Sequence, residues 1–310
     1  MSLTTGTKRW LVDGLGSQAA ADEIDAALVY GGTVYYVSSV TGSDQANGTS
    51  WQTPFATFAY ALTQVTASQG DIIVLMPGHA ETTTAVAWNV AGIRVVGVGF
   101  GRNRPTITAT TAASDLIDVT AANGQLWNVR LVGAASGVTA LLDGSSAATD
   151  FELHDCELVS AATPANLITW SGQRPIIEDL TVTQSANGAD YVVVFEAGVD
   201  GFIFRRWDVL CPSGLDNGLI SSGGFSHVGY VIDNITAVGL DSLVVNFISS
   251  TGAKADGFFG SGKLVYSAAV TSIEDGVAAA TAKGMAFGFE VQAIDATGKR
   301  AGHIPLATAS

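Results

Sequence analysis

Between residues 126 and 237 one six-residue pattern returns five times: an apolar residue, any residue, a polar residue, an apolar residue, any residue, an apolar residue. The copies are 126–131 (Leu-Trp-Asn-Val-Arg-Leu), 153–158 (Leu-His-Asp-Cys-Glu-Leu), 177–182 (Ile-Glu-Asp-Leu-Thr-Val), 204–209 (Phe-Arg-Arg-Trp-Asp-Val) and 232–237 (Ile-Asp-Asn-Ile-Thr-Ala). Their third residues, Asn128, Asp155, Asp179, Arg206 and Asn234, are 27, 24, 27 and 28 positions apart. A second apolar set keeps step with the first. Its anchors are Leu116-Ile117, Leu141-Leu142, Leu167-Ile168, Val193-Val194, Leu219-Ile220 and Val244-Val245, at spacings of 25 or 26. Self-similarity at one fixed period is the signature of a solenoid, in which each repeat buries its apolar face against the next. Two sets sharing one period give each coil at least two strands, each stacked on its counterpart one coil later. The pattern therefore predicts an all-β chain wound as a parallel β-helix, with a ladder of like residues inside. The third position of the hexad marks a turn, where Asn and Asp are favoured.

Ahead of the repeats the periodicity differs. Residues 17–28 predict a short amphipathic helix, with Ser17 as N-cap, acids in the early turns, and a small apolar face of Ala20, Ala21, Ile24, Ala27 and Leu28. That face can dock on its own chain or meet a partner. Residues 33–37 read as a strand, 42–51 as a polar loop, and 54–67 as a helix opened by Pro54 in its first turn. Residues 71–76 form a nearly continuous apolar run, as in a strand covered on both faces. Loops such as 133–137 and 144–146 are short, built of small residues, and leave no room for an inserted domain. After Ile248 the period fades, and residues 263–266, 285–289 and 290–291 suggest strands of a different kind. The expected division is an arm with a short helix at 1–32, the β-helix with its helix near 54–67 at 33–250, and a C-terminal β cap or small domain at 251–310.

The first coil carries a resemblance. Tyr35-Tyr36-Val37, Gly42-Ser43-Asp44, Gly48-Thr49-Ser50-Trp51, Pro54-Phe55, Gly70-Asp71-Ile72-Ile73-Val74 and Pro77-Gly78 resemble the opening of pectin-lyase-like right-handed β-helices. The resemblance implies a right-handed coil and a helix that caps the open end of the solenoid, removing an edge on which other chains could pair.

Composition narrows the chemistry. A net charge of −14 repels nucleic acid, and no basic patch offsets it. No lysine occurs between Lys8 and Lys254, so the cations of the solenoid are arginines, suited to fixed pairs with carboxylates along a wall. Cys156 and Cys211 fall in strand-like runs and read as buried thiols, neither a disulfide framework nor a metal site. His79, His154, His227 and His303 are far apart, without an i, i+4 pair, which argues against zinc. No apolar run of the length needed to span a membrane occurs, and residues 1–16 lack the apolar stretch of a secretory signal, so the chain is expected to be soluble and made in a cytoplasm. Gly97-Val98-Gly99-Phe100-Gly101 has the wrong spacing for a dinucleotide fingerprint, and neither a P-loop nor a nucleophile elbow is present, so no cofactor is expected.

Carboxylates are the remaining enzymatic option, because polysaccharide hydrolysis needs two of them flanking the scissile bond. Glu152, Asp155, Glu157, Glu178, Asp179 and Asp208 fall where neighbouring coils share a wall. The resemblance to β-helical lyases, which use calcium-binding aspartates and an arginine base, singles out Glu178, Asp179 and Asp208 with Arg205 and Arg206. Outward strand positions are polar in any solenoid, however, and no compact calcium loop is visible, which favours a structural role for these acids and no metal. Trp51, Trp88, Trp127, Trp170 and Trp207 would offer flat faces to sugars if exposed, but Trp127 and Trp207 lie inside the hexads, where packing is expected.

Residues 6–16 (Gly-Thr-Lys-Arg-Trp-Leu-Val-Asp-Gly-Leu-Gly), the Ala-rich helix and the lean solenoid together resemble structural proteins of tailed bacteriophages. That resemblance implies a homotrimer on the virion surface, made in the host cytoplasm. It would be either a decoration or cement protein fixed to the major capsid protein, or a tail spike or fibre that binds or cleaves host polysaccharide. The short loops favour the non-enzymatic decoration protein. Its attachment element would be the N-terminal arm, through Lys8, Arg9, Trp10, Leu11, Ile24 and Leu28.

Overall fold

The computed structural model describes residues 32–110, 114–162, 164–184, 189, 191–211, 218–221, 223 and 225–240, and the strand backbones at 255–259, 261–266, 288–294 and 300–303. The repeats fold into three ladders of parallel strands. The first runs through Val34–Val37, Ile72–Leu75, Arg94–Gly97, Gln125–Trp127, Glu152–His154 and Ile176–Glu178, into the opening halves of Ile203–Leu210 and His227–Leu240, and on to Ala255–Phe259. The second takes Ala80–Thr83, Thr106–Ala109, Arg130–Gly133, Glu157–Ser160 and Thr181–Gln184, the closing halves of the same two long strands, then Ser261–Tyr266 and Gly288–Ile294. The third stacks Val86–Trp88, Ile117–Val119, Leu142–Gly144, Asn166–Trp170, Tyr191–Phe195 and Gly218–Ser221 as a separate six-stranded sheet. Each coil adds one strand to each ladder, and the chain is a parallel β-solenoid, as the two periodic sets predict.

The registers place like on like. Leu126 pairs with Leu153, Leu153 with Ile177, Ile177 with Phe204 and Phe204 with Ile232, all buried. In the third ladder Ile117, Leu142, Ile168, Val193 and Ile220 are in register and buried. There the predicted anchor pair 193–194 is corrected by one position: Val192 and Val193 point inward and Val194 does not. Aromatic rings fill the wider parts of the core, with Trp88 edge-on to Phe58 and Phe151, and Phe202 stacked on Tyr230 at 4.8 Å between centroids. Burying such a side chain contributes about 1.5–3 kcal/mol.

The turn between the first and second ladders is the hexad's third residue. Asn128, Asp155, Asp179, Arg206 and Asn234 all have φ between 49° and 56°, in the left-handed region that Asn and Asp tolerate best among residues bearing a Cβ. A second left-handed column, which the periodicity did not reveal, precedes the first ladder: Gly92, Asn123, Asp150, Arg174, Gly201 and Gly229. From Asn128 to Asn234, successive coils are thus bent at the same two places.

The open end is closed by residues 42–62. Phe55 N–H donates to Tyr36 O at 2.8 Å, Ser38 N–H to Phe55 O at 2.8 Å and Tyr36 N–H to Gly48 O at 2.7 Å, so the loop takes up hydrogen bonds that the first strand would otherwise leave bare. Because Pro54 and Phe55 belong to this edge, the helix begins later and is shorter than the 54–67 expected. It spans Phe58–Leu62, with Thr57 as N-cap accepting from Tyr60 N–H, and it buries Phe58, Ala61 and Leu62. Buried Glu81 accepts from Phe58 N–H at 2.6 Å and faces His79 Nε2 at 3.3 Å. His79 Nδ1 accepts from Ser39 N–H at 3.0 Å, which leaves Nε2 as the nitrogen that carries the proton in the neutral ring.

At the other end the parallel pairing continues past Ile248, where the apolar period fades. Ala255–Phe259 and Ser261–Tyr266 pair parallel with His227–Leu240, and Gly288–Ile294 pairs parallel with Ser261–Tyr266. Among the described strands of this region only Arg300–His303 is antiparallel, pairing with Gly288–Ile294. The backbone pairing of 255–266 and 288–294 is therefore of the same kind as in the solenoid, against the expectation of a different one.

Candidate functional site

Strand alternation turns every second residue of the first and second ladders outward, and the registers align these residues into columns. One outward column is Trp127, His154, Glu178, Arg205 and Asp233, and it begins at Val96, which is covered. Beside it runs the left-handed column that holds Asp155, Asp179 and Arg206. Glu178, Asp179, Arg205 and Arg206 of the expected set therefore meet on one wall. Arg206 donates through Nε to Asp179 Oδ1 at 2.6 Å, and through Nη2 to Asp179 Oδ2 and Glu178 Oε2, each at 2.9 Å. Arg205 Nη1 approaches Glu178 Oε1 at 3.5 Å. Asp208 stands apart: it lies exposed on the second ladder, aligned with Thr181 and Thr236.

The wall continues toward the N-terminal coils. His154 stacks on Trp127 with centroids 4.1 Å apart, and its Nε2 meets Glu152 Oε2 at 3.0 Å, which also accepts from Gln125 Nε2 at 3.0 Å. Arg104 reaches Asp155 at 3.2 Å, and Arg130 reaches Glu157 at 2.7 Å. The same logic operates at the second bend, where Arg174 holds both oxygens of Asp150. Arg130, Arg174 and Arg206 each pair with an acid one coil away, and Arg104 reaches an acid two coils on.

Electrostatics follows from these pairs. The hydrogen bonds from Arg206 hold the Asp179 carboxyl below its usual range, and those to Asp179 and Glu178 raise the Arg206 guanidinium above its own. Asp179 therefore keeps its charge, which suits an ion pair and not a general acid. Arg206 holds its proton more firmly than a free arginine, the reverse of what a base requires. Desolvation pushes Asp155 up despite Arg104 beside it. Cys156 and Cys211 are buried and their thiols are pushed up to about 12 by desolvation, which leaves them inert at neutral pH.

A second group of acids, which the sequence reading missed, lies on the third ladder. Asp118 and Asp143 are in register on adjacent strands, pointing outward beside the buried anchors Ile117 and Leu142. Asp115 lies just upstream, and one of its carboxylate oxygens is buried without a hydrogen-bond partner. Desolvation first, then the charge of Asp143, raises Asp115 to about 6, with smaller contributions from Asp118 and Glu196. Asp143 is also raised, mainly by desolvation, although Thr169 donates to it. The available signal was an Asp directly after the apolar anchor in two consecutive coils. Among the described residues no group of three or more His, Cys, Asp or Glu side chains is arranged to hold a metal ion, and no helix is long and apolar enough to cross a membrane. Trp88, Trp170 and Trp207 are buried, Trp127 is half-covered by His154, and Trp51 is exposed. The expected attachment residues Lys8, Arg9, Trp10, Leu11, Ile24 and Leu28 lie outside the described residues.

The class that this geometry defines is a parallel β-solenoid with an arginine-clamped outer wall. No family model matches the chain, and no curated protein matches it. Among solved structures it is similar to a rhamnogalacturonan lyase, at 12% identity and a TM-score of 0.49, over 76% of this chain and 73% of the other. It is also similar to a GH136 lacto-N-biosidase from Eubacterium ramulus, at 12% identity and a TM-score of 0.39, over 85% of this chain and 68% of the other.

Proposed function

We propose that the chain is a non-enzymatic structural protein of a tailed-bacteriophage virion, a trimeric decoration or cement protein attached to the capsid through its N-terminal arm. The observation that carries the non-enzymatic part is the clamp on the wall. Asp179 and Glu178, the acids best placed by sequence for chemistry, are both bonded to Arg206. Ion pairs between successive coils tie the solenoid along its length, as suits a rigid stem. The phage setting rests on the resemblance of residues 6–16 and of the lean, short-looped solenoid to virion proteins. The test is to add the purified full chain, and a form lacking residues 1–29, to capsids stripped of surface proteins and to image both by cryo-electron microscopy. The reading expects the full chain on the capsid lattice and the shortened chain folded but unbound. Localisation of the full chain to the tail alone would refute the decoration role.

One observation favours the second reading, a spike that hydrolyses host polysaccharide. Asp115, whose carboxyl is raised to about 6 beside the aligned pair Asp118 and Asp143, holds its proton to a higher pH than an ordinary aspartate, as a general acid among carboxylates does. Release of oligosaccharides from host surface glycan by the purified chain, abolished in Asp115→Asn, would establish that reading in place of the first.

A further inference from the structure

Of the tryptophans among the described residues, Trp51 alone has no cover: it is 58% exposed, whereas Trp88, Trp170 and Trp207 are at most 2% exposed. A single exposed ring needs no explanation by itself. What sets this one apart is the rigidity of its frame. Thr53 N–H donates to Ser50 O at 3.1 Å, closing a turn with Trp51 at its tip, and the Ser50 and Thr53 hydroxyls bond to each other at 2.9 Å. Thr53 Oγ1 also donates to Asn47 Oδ1 at 2.8 Å, and Gly48 N–H donates to Thr53 O at 3.0 Å. Gly48 O in turn accepts from Tyr36 N–H, so the turn is bolted to the first strand of the solenoid. The backbone that presents the indole is ordered in advance, which removes much of the entropic cost of capturing a ligand.

The surroundings indicate the ligand's chemistry. Residues 38–57 contain one charged side chain, Asp44, and its oxygens are occupied by Ala56 N–H, Thr57 N–H and the Thr57 hydroxyl. The other exposed side chains next to Trp51 are amides and hydroxyls: Asn47, Thr49, Gln52 and Thr53. An aromatic face rimmed by neutral donors and acceptors matches a pyranose, which has one C–H face for the ring and hydroxyls for the rim. An anionic sugar would find no cation in this loop. A protein partner would need an apolar core around its anchor, and in residues 38–57 the only other exposed large apolar side chain is Val40.

We propose that Trp51 and the turn that carries it form a binding site for a neutral saccharide at the capped end of the solenoid, separate from both acidic groups. The test uses the full chain with maltohexaose, cellohexaose and a β-galacto-oligosaccharide, and polygalacturonate as the anionic control, read by saturation-transfer NMR. At least one neutral oligosaccharide should receive saturation on its ring C–H protons while polygalacturonate does not. Trp51→Ala, shown to be folded by circular dichroism, should weaken binding on the order of tenfold, and Trp51→Phe by less, because it keeps a ring. Three results overturn the proposal: no neutral sugar binds, Trp51→Ala binds as well as the parent, or Trp51→Ala changes the oligomeric state, which makes the ring an interface between copies. None of these outcomes bears on capsid attachment.

Discussion

Replacing Asp115 by Asn should stabilise the solenoid at pH 7.5 and leave its stability unchanged near pH 4. The folded chain holds this carboxyl at about 6, against an ordinary value of 3.8, so the native state binds the proton more tightly than the unfolded one. The stabilisation that protonation brings is fully present below pH 3.8 and is lost as pH rises through about 6. A shift of about two units corresponds to about 3 kcal/mol for a buried group. Asp115 is only partly covered, and water and salt screen its neighbours' charges, so the usable figure is about 1–2 kcal/mol. Asn keeps an acceptor for the bond from the Ala140 backbone and supplies an NH2 in place of an anionic carboxylate oxygen. The assay is urea unfolding of both proteins at pH 4.0, 5.5 and 7.5, with the midpoints compared at each pH. Because desolvation is the largest cause and the repulsion from Asp143, Asp118 and Glu196 is secondary, 0.5 M salt should narrow the gap without closing it. A gap that is the same at all three pH values, or an Asn variant that is the less stable one at pH 7.5, would refute the electrostatic account.

Three further outcomes are expected. Leu153→Ala empties a fully buried position between Leu126 and Ile177 and should cost about 2–5 kcal/mol in urea unfolding, with far-UV dichroism still showing a β-rich fold. Arg206→Gly should be more stable than Arg206→Ala by about 1 kcal/mol, since both lose the pair with Asp179 but only glycine is at ease at φ 56°. Neither Cys156 nor Cys211 should react with an aromatic disulfide reagent in the native protein at pH 8, and both should react in denaturant, where burial no longer holds the thiols up at about 12.

The solenoid was legible because its two demands fall on the same residues. Inward positions must be apolar, and the bend must be left-handed, so the hexad couples Leu126, Leu153 and Ile177 to Asn128, Asp155 and Asp179 at fixed offsets. The second bend was not legible, since Gly92, Asn123, Asp150, Arg174 and Gly201 share a backbone conformation but no side-chain type. The one-position slip at 193–194 arose in a run of three valines, where composition cannot fix which residues face inward. The helix is shorter than its pattern predicts because Pro54, which suits a first helical turn, precedes a residue, Phe55, that the first strand takes as an edge partner. Of the acids, the group at Glu178 and Asp179 was visible in sequence, but its pairing with Arg206 depends on stacking across a coil. The cluster at Asp115, Asp118 and Asp143 escaped because an Asp beside an apolar anchor looks like ordinary outward polarity until register places two of them face to face.

The paired bends carry a consequence for how such a chain changes size. Each circuit between equivalent bends, for instance from Asp155 to Asp179, returns the backbone to the same conformation one strand further on. Duplicating the segment between two such points would lengthen the shaft by about 4.8 Å, the spacing of neighbouring strands, while both ends and the cross-section stayed as they were. The reach of the molecule is thus graduated, and in-frame duplication or loss of single coils gives evolution, or an engineer, a ruler with marks about 5 Å apart.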